Sequence, residues 1–202
     1  MIQFLANKTA NYLAKGDDPE DIEVIAYGYY MFYQQWLMTI GILLVALVVG
    51  LFFPVLVSLV VSMTLRGYVC GTHATHPLIC KVASFAMAFT PVILAVVFEL
   101  RITPVTASAM YILSIALILK YAPGDTDVRK IRNPDIRKSM KIKAIVLATA
   151  FVAAAMFLNN RFPEIAFIIV TASFITSSFV HPLMYRLFGF DPVTKEAFRP
   201  RW

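Results

Sequence analysis

EVIAYGYYMFYQQWLMTIGILLVALVVGLFFPVLVSLVVSMTLR, residues 23–66, holds 42 consecutive residues without a charge between Glu23 and Arg66. A helix needs about 20 apolar residues to cross the hydrocarbon core of a bilayer, so this run has room for two crossings. Gly50 and Pro54, in VVGLFFPVL, supply a turn between them. Read as a hairpin, the run adds two spans to the chain; read as one bent helix, it adds one.

Four more uncharged runs follow: Val82 to Phe98, Ile102 to Leu119, Ala144 to Asn160 and Ile165 to Tyr185. The hairpin reading therefore gives six spans with both termini on one side. The segments 1–23, 66–81, 120–143 and 186–202 then share a side, and they carry 16 of the 18 Lys and Arg residues, leaving Arg101 and Arg161 opposite. Five spans would move Lys8 and Lys15 across, so the excess of basic residues in cytoplasmic segments favours six. The stretch Glu23 to Trp36 is aromatic and polar enough to begin at the interface before entering the bilayer.

With 59% hydrophobic residues and a mean hydropathy of +0.73, the expectation is an all-α integral membrane protein of about six transmembrane helices, which excludes a soluble secreted scaffold. The first fifteen residues lack the long apolar core and small-residue cleavage site of a signal peptide. Ile2, Leu5, Thr9, Tyr12 and Leu13 recur at roughly helical spacing, which predicts an N-terminal amphipathic helix lying in the interface. No repeat or low-complexity tract divides the chain, so residues 1–202 read as a single membrane-embedded domain with a basic cytoplasmic loop over 120–143.

The second informative stretch is RGYVCGTHATHPLICKVAS, residues 66–84, which packs both cysteines and two of the three histidines between the second and third spans. Three readings compete. Cys70, His73, His76 and Cys80 offer a zinc-type donor set, but four ligands within eleven residues crowd one small turn. His73 and Cys80 alone could serve as base and nucleophile. Seven residues along a straight helix separates two side chains by about 10 Å, beyond hydrogen-bond reach. Pro77 removes the objection, because it disrupts a continuous helix and fits the first position of a new one, leaving Cys80 in that helix's first turn, where unsatisfied amides favour a thiolate. In the third reading the cysteines are small apolar residues at span ends and the histidines are interfacial.

The same residues resemble the active-site segment of the AgrB family, the accessory gene regulator B endopeptidases of Gram-positive bacteria. That segment carries an arginine, a Gly-x-His-Ala step, a cysteine seven residues after the histidine and a serine four further on; here these are Arg66, Gly71, His73, Ala74, Cys80 and Ser84. KYAPGDTDVRKI, residues 120–131, is similar to the family's Tyr-Ala-Pro-x-Asp-Thr segment, again following a transmembrane helix and running into basic residues. Many members carry a glutamine two residues after a glycine in the first span, whereas here Gly28 is followed by Tyr30, with Gln34 and Gln35 later. Cys70 and His76 are not part of the family pattern.

The resemblance implies cleavage, at the cytoplasmic face of the cell membrane, of a short AgrD-like propeptide and its cyclisation to a thiolactone autoinducer for quorum sensing. Cys80 would be the nucleophile and His73 the general base, with Arg66, Gly71 and Ser84 in supporting or substrate-holding roles. It also implies a homodimer. Arg129, Lys130 and Arg132, in a segment whose basic cluster would touch anionic lipid, are placed to dock the acidic tail of the propeptide. No metal, cofactor or nucleic-acid partner is expected; the aspartates of GDTD sit beside too many cations to make a cation site. The rival classes are a peptide transporter or exporter and a non-catalytic membrane scaffold. The uncharged runs hold no Asp, Glu, Lys or Arg of the kind that couples ion flow in transporters.

Overall fold

In a computed structural model of the chain, residues 2–13, 19–70, 77–124, 131 and 133–187 are described. They form eight helices: α1 (Ile2–Leu13), α2 (Pro19–Val48), α3 (Phe52–Val69), α4 (Pro77–Val96), α5 (Pro104–Tyr121), α6 (Pro134–Leu158), α7 (Pro163–Ser178) and α8 (Pro182–Leu187). Six of them open on proline, whose fixed φ suits the first helical position and whose missing N–H costs nothing there.

The 23–66 stretch is two helices. α2 stops at Val48, Gly50 takes φ +73° as only glycine does without cost, and Pro54 falls in the first turn of α3. The aromatic stretch Glu23 to Trp36 belongs to the continuous α2. Among the described residues, five segments are long and apolar enough to cross a membrane: Ile22–Val48, Phe52–Val69, Leu78–Val96, Pro104–Tyr121 and Pro134–Leu158. A sixth apolar helix, α7, has 16 residues. The chain is thus an all-α, multi-pass membrane protein. The last uncharged run continues to Tyr185, but helix α7 ends at Ser178 and Pro182 opens α8.

Contacts divide the chain into two compact units, residues 1–50 and 51–202. In the first, α1 packs on α2 through the fully buried Ala6 and Ala10, small residues that allow close helix approach, and Thr9 Oγ1 hydrogen-bonds Tyr33 Oη at 3.0 Å. Phe4, Leu5, Tyr12 and Leu13 of α1 stay exposed, the apolar face that an interfacial helix presents.

In the second unit α7 is the central helix, packed by α3, α4, α5 and α6. Ala166, Phe167, Ile168, Ile169, Val170 and Ala172 are all buried. Its three serine hydroxyls donate within the helix, Ser173 Oγ to Ile169 O, Ser177 Oγ to Ser173 O and Ser178 Oγ to Phe174 O, whereas the buried Thr171 and Thr176 hydroxyls have no hydrogen-bond partner among the described residues. Such back-bonding lets polar but small side chains line a tightly packed helix in lipid. By contrast Leu113, Ile112, Val146 and Phe157 of the surrounding helices point outward, as lipid-facing residues do.

One end of this unit is tied by Arg101, whose guanidinium donates to Ala95 O at 2.9 Å and pairs with Glu164 at 3.0 Å, linking the α4–α5 connection to the start of α7. There Thr103 caps α5 reciprocally: its Oγ1 accepts from Thr106 N and its own N–H donates to Thr106 Oγ1. Thr103→Ala, which removes the bond accepted by Oγ1 and keeps the backbone one, should lower the unfolding free energy in detergent by about 1 kcal/mol.

The basic segment 120–143 is only partly a loop. α5 continues to Tyr121 and α6 starts at Pro134, with Asn133 Oδ1 accepting from the N–H groups of Asp135 and Ile136. Arg137, Lys138, Lys141 and Lys143 therefore ride on the first turns of α6, because a local Asn-Pro-Asp helix start outweighs the charge density that suggested a loop.

Candidate active site

The end of the second unit away from the Arg101–Glu164 pair gathers the ends of α3, α5 and α7 with the starts of α4, α6 and α8. Leu65 and Val69 of α3, Ile118 of α5, Ala122, Ala144 and Ala148 of α6, and Val180 form one buried apolar cluster beneath it. Tyr68 and Tyr121 flank the cluster.

Cys70 ends α3 at φ +60°, ψ −120°, a conformation that costs a residue with a Cβ about 1 kcal/mol or more. The chain is held there from two sides: Cys70 N donates to Arg66 O at 2.9 Å, and Gly124 N donates to Val69 O at 3.0 Å, so that Cys70 and Gly124 form a parallel β-bridge. The two sequence segments that resemble family motifs, 66–84 and 120–131, thus meet main chain to main chain.

Pro77 opens α4, and Cys80 is the fourth residue of that helix, in its first turn and partly buried. Cys70 and Cys80 are not joined in a disulfide. Ser84 donates its hydroxyl to Cys80 O at 2.9 Å, which ties it to the helix backbone rather than to the sulfur. Arg66 points into the bundle. Its Nη1 lies 3.3 Å from Met87 Sδ on α4, its guanidinium carbon sits 5.5 Å from the centre of the Phe179 ring, and the Cys80 and Cys70 thiols and the Tyr185 hydroxyl are within electrostatic reach. A helix-end arginine can instead snorkel outward to lipid phosphate, which is not the geometry of Arg66 here.

His181 lies edge-on to Tyr121 at 5.4 Å and accepts from Leu183 N through Nδ1, which fixes the start of α8 beside the second motif. Lys143 sits 5.9 Å from the Tyr68 ring centre, Lys120 5.2 Å from that of Tyr121, and Lys141 Nζ donates to Leu119 O. The rim of this end is basic.

Gly71, His73, His76, Arg129, Lys130 and Arg132 lie outside the described residues. The structure therefore places Arg66, Cys80 and Ser84 of the expected site. Among the described residues no three His, Cys, Asp or Glu side chains could hold a metal ion. Met87, Phe179, His181 and Tyr185 were not singled out from sequence. Only their three-dimensional convergence on Arg66 and Tyr121 marks them, since each looks like an ordinary span residue in its own segment.

Comparison with known proteins bears on the same region. The chain is 23% identical over 170 residues to accessory gene regulator protein B of Staphylococcus saprophyticus, covering 82% of this chain and 88% of that one. It is 24% identical over 146 residues to an AgrB-like protein of Clostridium acetobutylicum, covering 72% and 68%. No solved structure matches it. The family model for accessory gene regulator B matches residues 6–180, a span that includes both motif segments and every helix from α2 to α7. The chain belongs to the accessory gene regulator B family.

Proposed function

We propose that the chain is a membrane cysteine endopeptidase that cleaves a short AgrD-like propeptide at the cytoplasmic face and promotes its cyclisation to a thiolactone. The observation that carries this reading is the position of Cys80. A proline-started helix presents it in its first turn, on the side of the bundle where Arg66 and the 120–124 segment converge, in a chain of the accessory gene regulator B family. The two units, 1–50 and 51–202, serve as one peptidase. The basic rim formed by Lys120, Lys141 and Lys143 favours assigning this end to the cytoplasm, since Arg101 and Arg161 are the basic residues of the opposite connections.

The chemistry follows from the thiol. Cys80 sulfur attacks the scissile carbonyl, the C–N bond breaks, and His73 delivers the proton to the leaving amine. The N-terminal part of the propeptide stays on Cys80 as a thioester and the acidic tail departs. A cysteine within the substrate then exchanges with Cys80: one thioester forms as another breaks, so the net free-energy change is small and the acyl energy is retained in the ring. An oxygen nucleophile would leave an ester, from which a thiolactone is uphill. Closure also competes with hydrolysis, so a site at the membrane boundary that limits water favours the ring. Arg66 is placed to hold polar groups of the substrate near Cys80, Gly71 and Ser84 support the segment, and a homodimer in anionic lipid is the working assembly.

Arg129, Lys130 and Arg132 dock the acidic tail. Reversing their charges should weaken processing about tenfold while leaving the amount of inserted protein unchanged, and the loss should shrink when the tail's own acidic residues are neutralised.

The reading is tested by mass spectrometry of membranes in which the chain is co-expressed with a short cysteine-containing propeptide bearing an acidic tail. Release of the tail, together with a retained fragment one water lighter than its linear form, supports it. Transport of the intact peptide without cleavage would favour the exporter class instead.

A further inference from the structure

Arg66 is held by residues that neither motif contains. Met87 lies seven residues after Cys80 on α4, two turns along, so Cys80, Ser84 and Met87 share a stripe, and the contact of Arg66 Nη1 with Met87 Sδ at 3.3 Å lays the guanidinium along it. The Phe179 ring also faces the cation, with its centre 5.5 Å from the guanidinium carbon. Phe179 is buried and follows the last residue of α7, next to Val180 in the apolar cluster that also contains Leu65 and Val69. A ring fixed in this way offers the negative face of its quadrupole to a cation, an attraction that strengthens as water is excluded. A thioether contact and a ring contact together confine a side chain that otherwise has many rotamers.

We propose that Phe179 is a positioning residue of the peptidase: with Met87 it clamps Arg66 so that a fixed positive charge faces Cys80, making the α7–α8 corner a third part of the site beside the two motif segments. The clamp rests on the peptidase reading for its purpose. The charge meets the oxyanion that forms on the scissile carbonyl when the thiol attacks and forms again during thioester exchange, and an oriented charge acts more strongly than one that must reorganise. Tyr185, buried on the same corner, and His181, edge-on to Tyr121, keep the corner in place.

The test uses the full chain in membrane vesicles with Cys70 replaced by glycine, the residue its φ favours, so that Cys80 is the one remaining thiol. Cys80 is labelled in parallel with a sulfonate-bearing and a trimethylammonium-bearing methanethiosulfonate of similar size, and the ratio of the two rates reports the local charge. The ratio should favour the anionic reagent, fall about tenfold in Arg66→Gln, and fall about three- to tenfold in Phe179→Leu, which keeps apolar bulk but removes the ring. Phe179→Trp, which keeps an aromatic face, should hold the ratio, and Phe179→Leu added to Arg66→Gln should change nothing further. A ratio unmoved by Phe179→Leu in protein whose labelling responds to Arg66→Gln would overturn the clamp. A ratio unmoved by Arg66→Gln would overturn the fixed charge itself. Neither result depends on propeptide cleavage, so the peptidase reading stands or falls separately on Cys80→Ala.

Discussion

On the proposed mechanism, replacing Cys80 by alanine should abolish release of the propeptide tail, lowering its rate by about 10⁴-fold or more, because the variant loses the sulfur that forms the acyl intermediate. His73→Ala should be nearly as severe, and the double variant should be no worse than the poorer single one, since groups that act as a unit do not contribute additively. Cys70→Gly is the informative control. Its thiol lies in the same electrostatic neighbourhood, but its backbone at φ +60° and the bridge to Gly124 give it a structural position, and glycine there should leave cleavage within about twofold and stability equal or improved. The measurement is single-turnover cleavage followed by mass spectrometry, with trapped acyl-protein sought in the wild type. Cleavage that survives Cys80→Ala would end the cysteine mechanism, and cleavage lost equally in Cys70→Gly would move the nucleophile question to both thiols.

The second large effect concerns stability. Leu65 is fully buried in the cluster that joins α3, α5 and α6 beneath the site, whereas Leu113 on α5 is 53% exposed. In a soluble protein the exposed leucine would matter little because water already surrounds it; here lipid surrounds it, and the transfer term is close to zero for both residues. What separates them is packing. Leu65→Ala leaves a cavity among Val69, Ile118, Ala144 and Ala148 and should cost about 2–4 kcal/mol, while Leu113→Ala should cost less than about 0.5 kcal/mol. Unfolding by graded replacement of mild detergent with denaturing detergent would compare them directly. Equal losses would mean that helix propensity or insertion, and not interior packing, sets the stability.

Much of the architecture could be read from charges and turn residues. Uncharged runs located every apolar helix, and Gly50 with Pro54 separated α2 from α3, because lipid demands long continuous helices and allows few ways to end them. The boundaries that failed were those where a local helix signal competed with charge or hydropathy. Asn133-Pro134-Asp135 starts α6 inside a basic segment, and the break after Ser178 interrupts a run that stays apolar to Tyr185. The amphipathic stripe on α1 is only partly its exposed side: Leu5, Tyr12 and Leu13 are exposed, whereas Ile2 and Thr9 are half-buried and Thr9 joins Ala6 and Ala10, too small to stand out in a pattern of bulk, in the contact with α2. At the candidate site, Pro77 and the spacing to Cys80 were legible because they act within one turn of chain. Met87 and Phe179 were not, because their relation to Arg66 crosses 21 and 113 residues of sequence and exists only after the helices pack.

The brevity of α7 bears on how a substrate reaches the thiol. Sixteen helical residues span about 24 Å, against a hydrocarbon layer of about 30 Å. The charged pair Arg101–Glu164 anchors the start of this helix where ions are tolerated, so the shortfall falls at the Phe179 end. On the proposed peptidase reading, the floor of the site beside Phe179 then lies about 6 Å inside the edge of the hydrocarbon layer. A peptide could be cut there only if it sinks part of itself into the acyl chains, which makes immersion depth a sieve that freely dissolved peptides fail whatever their sequence.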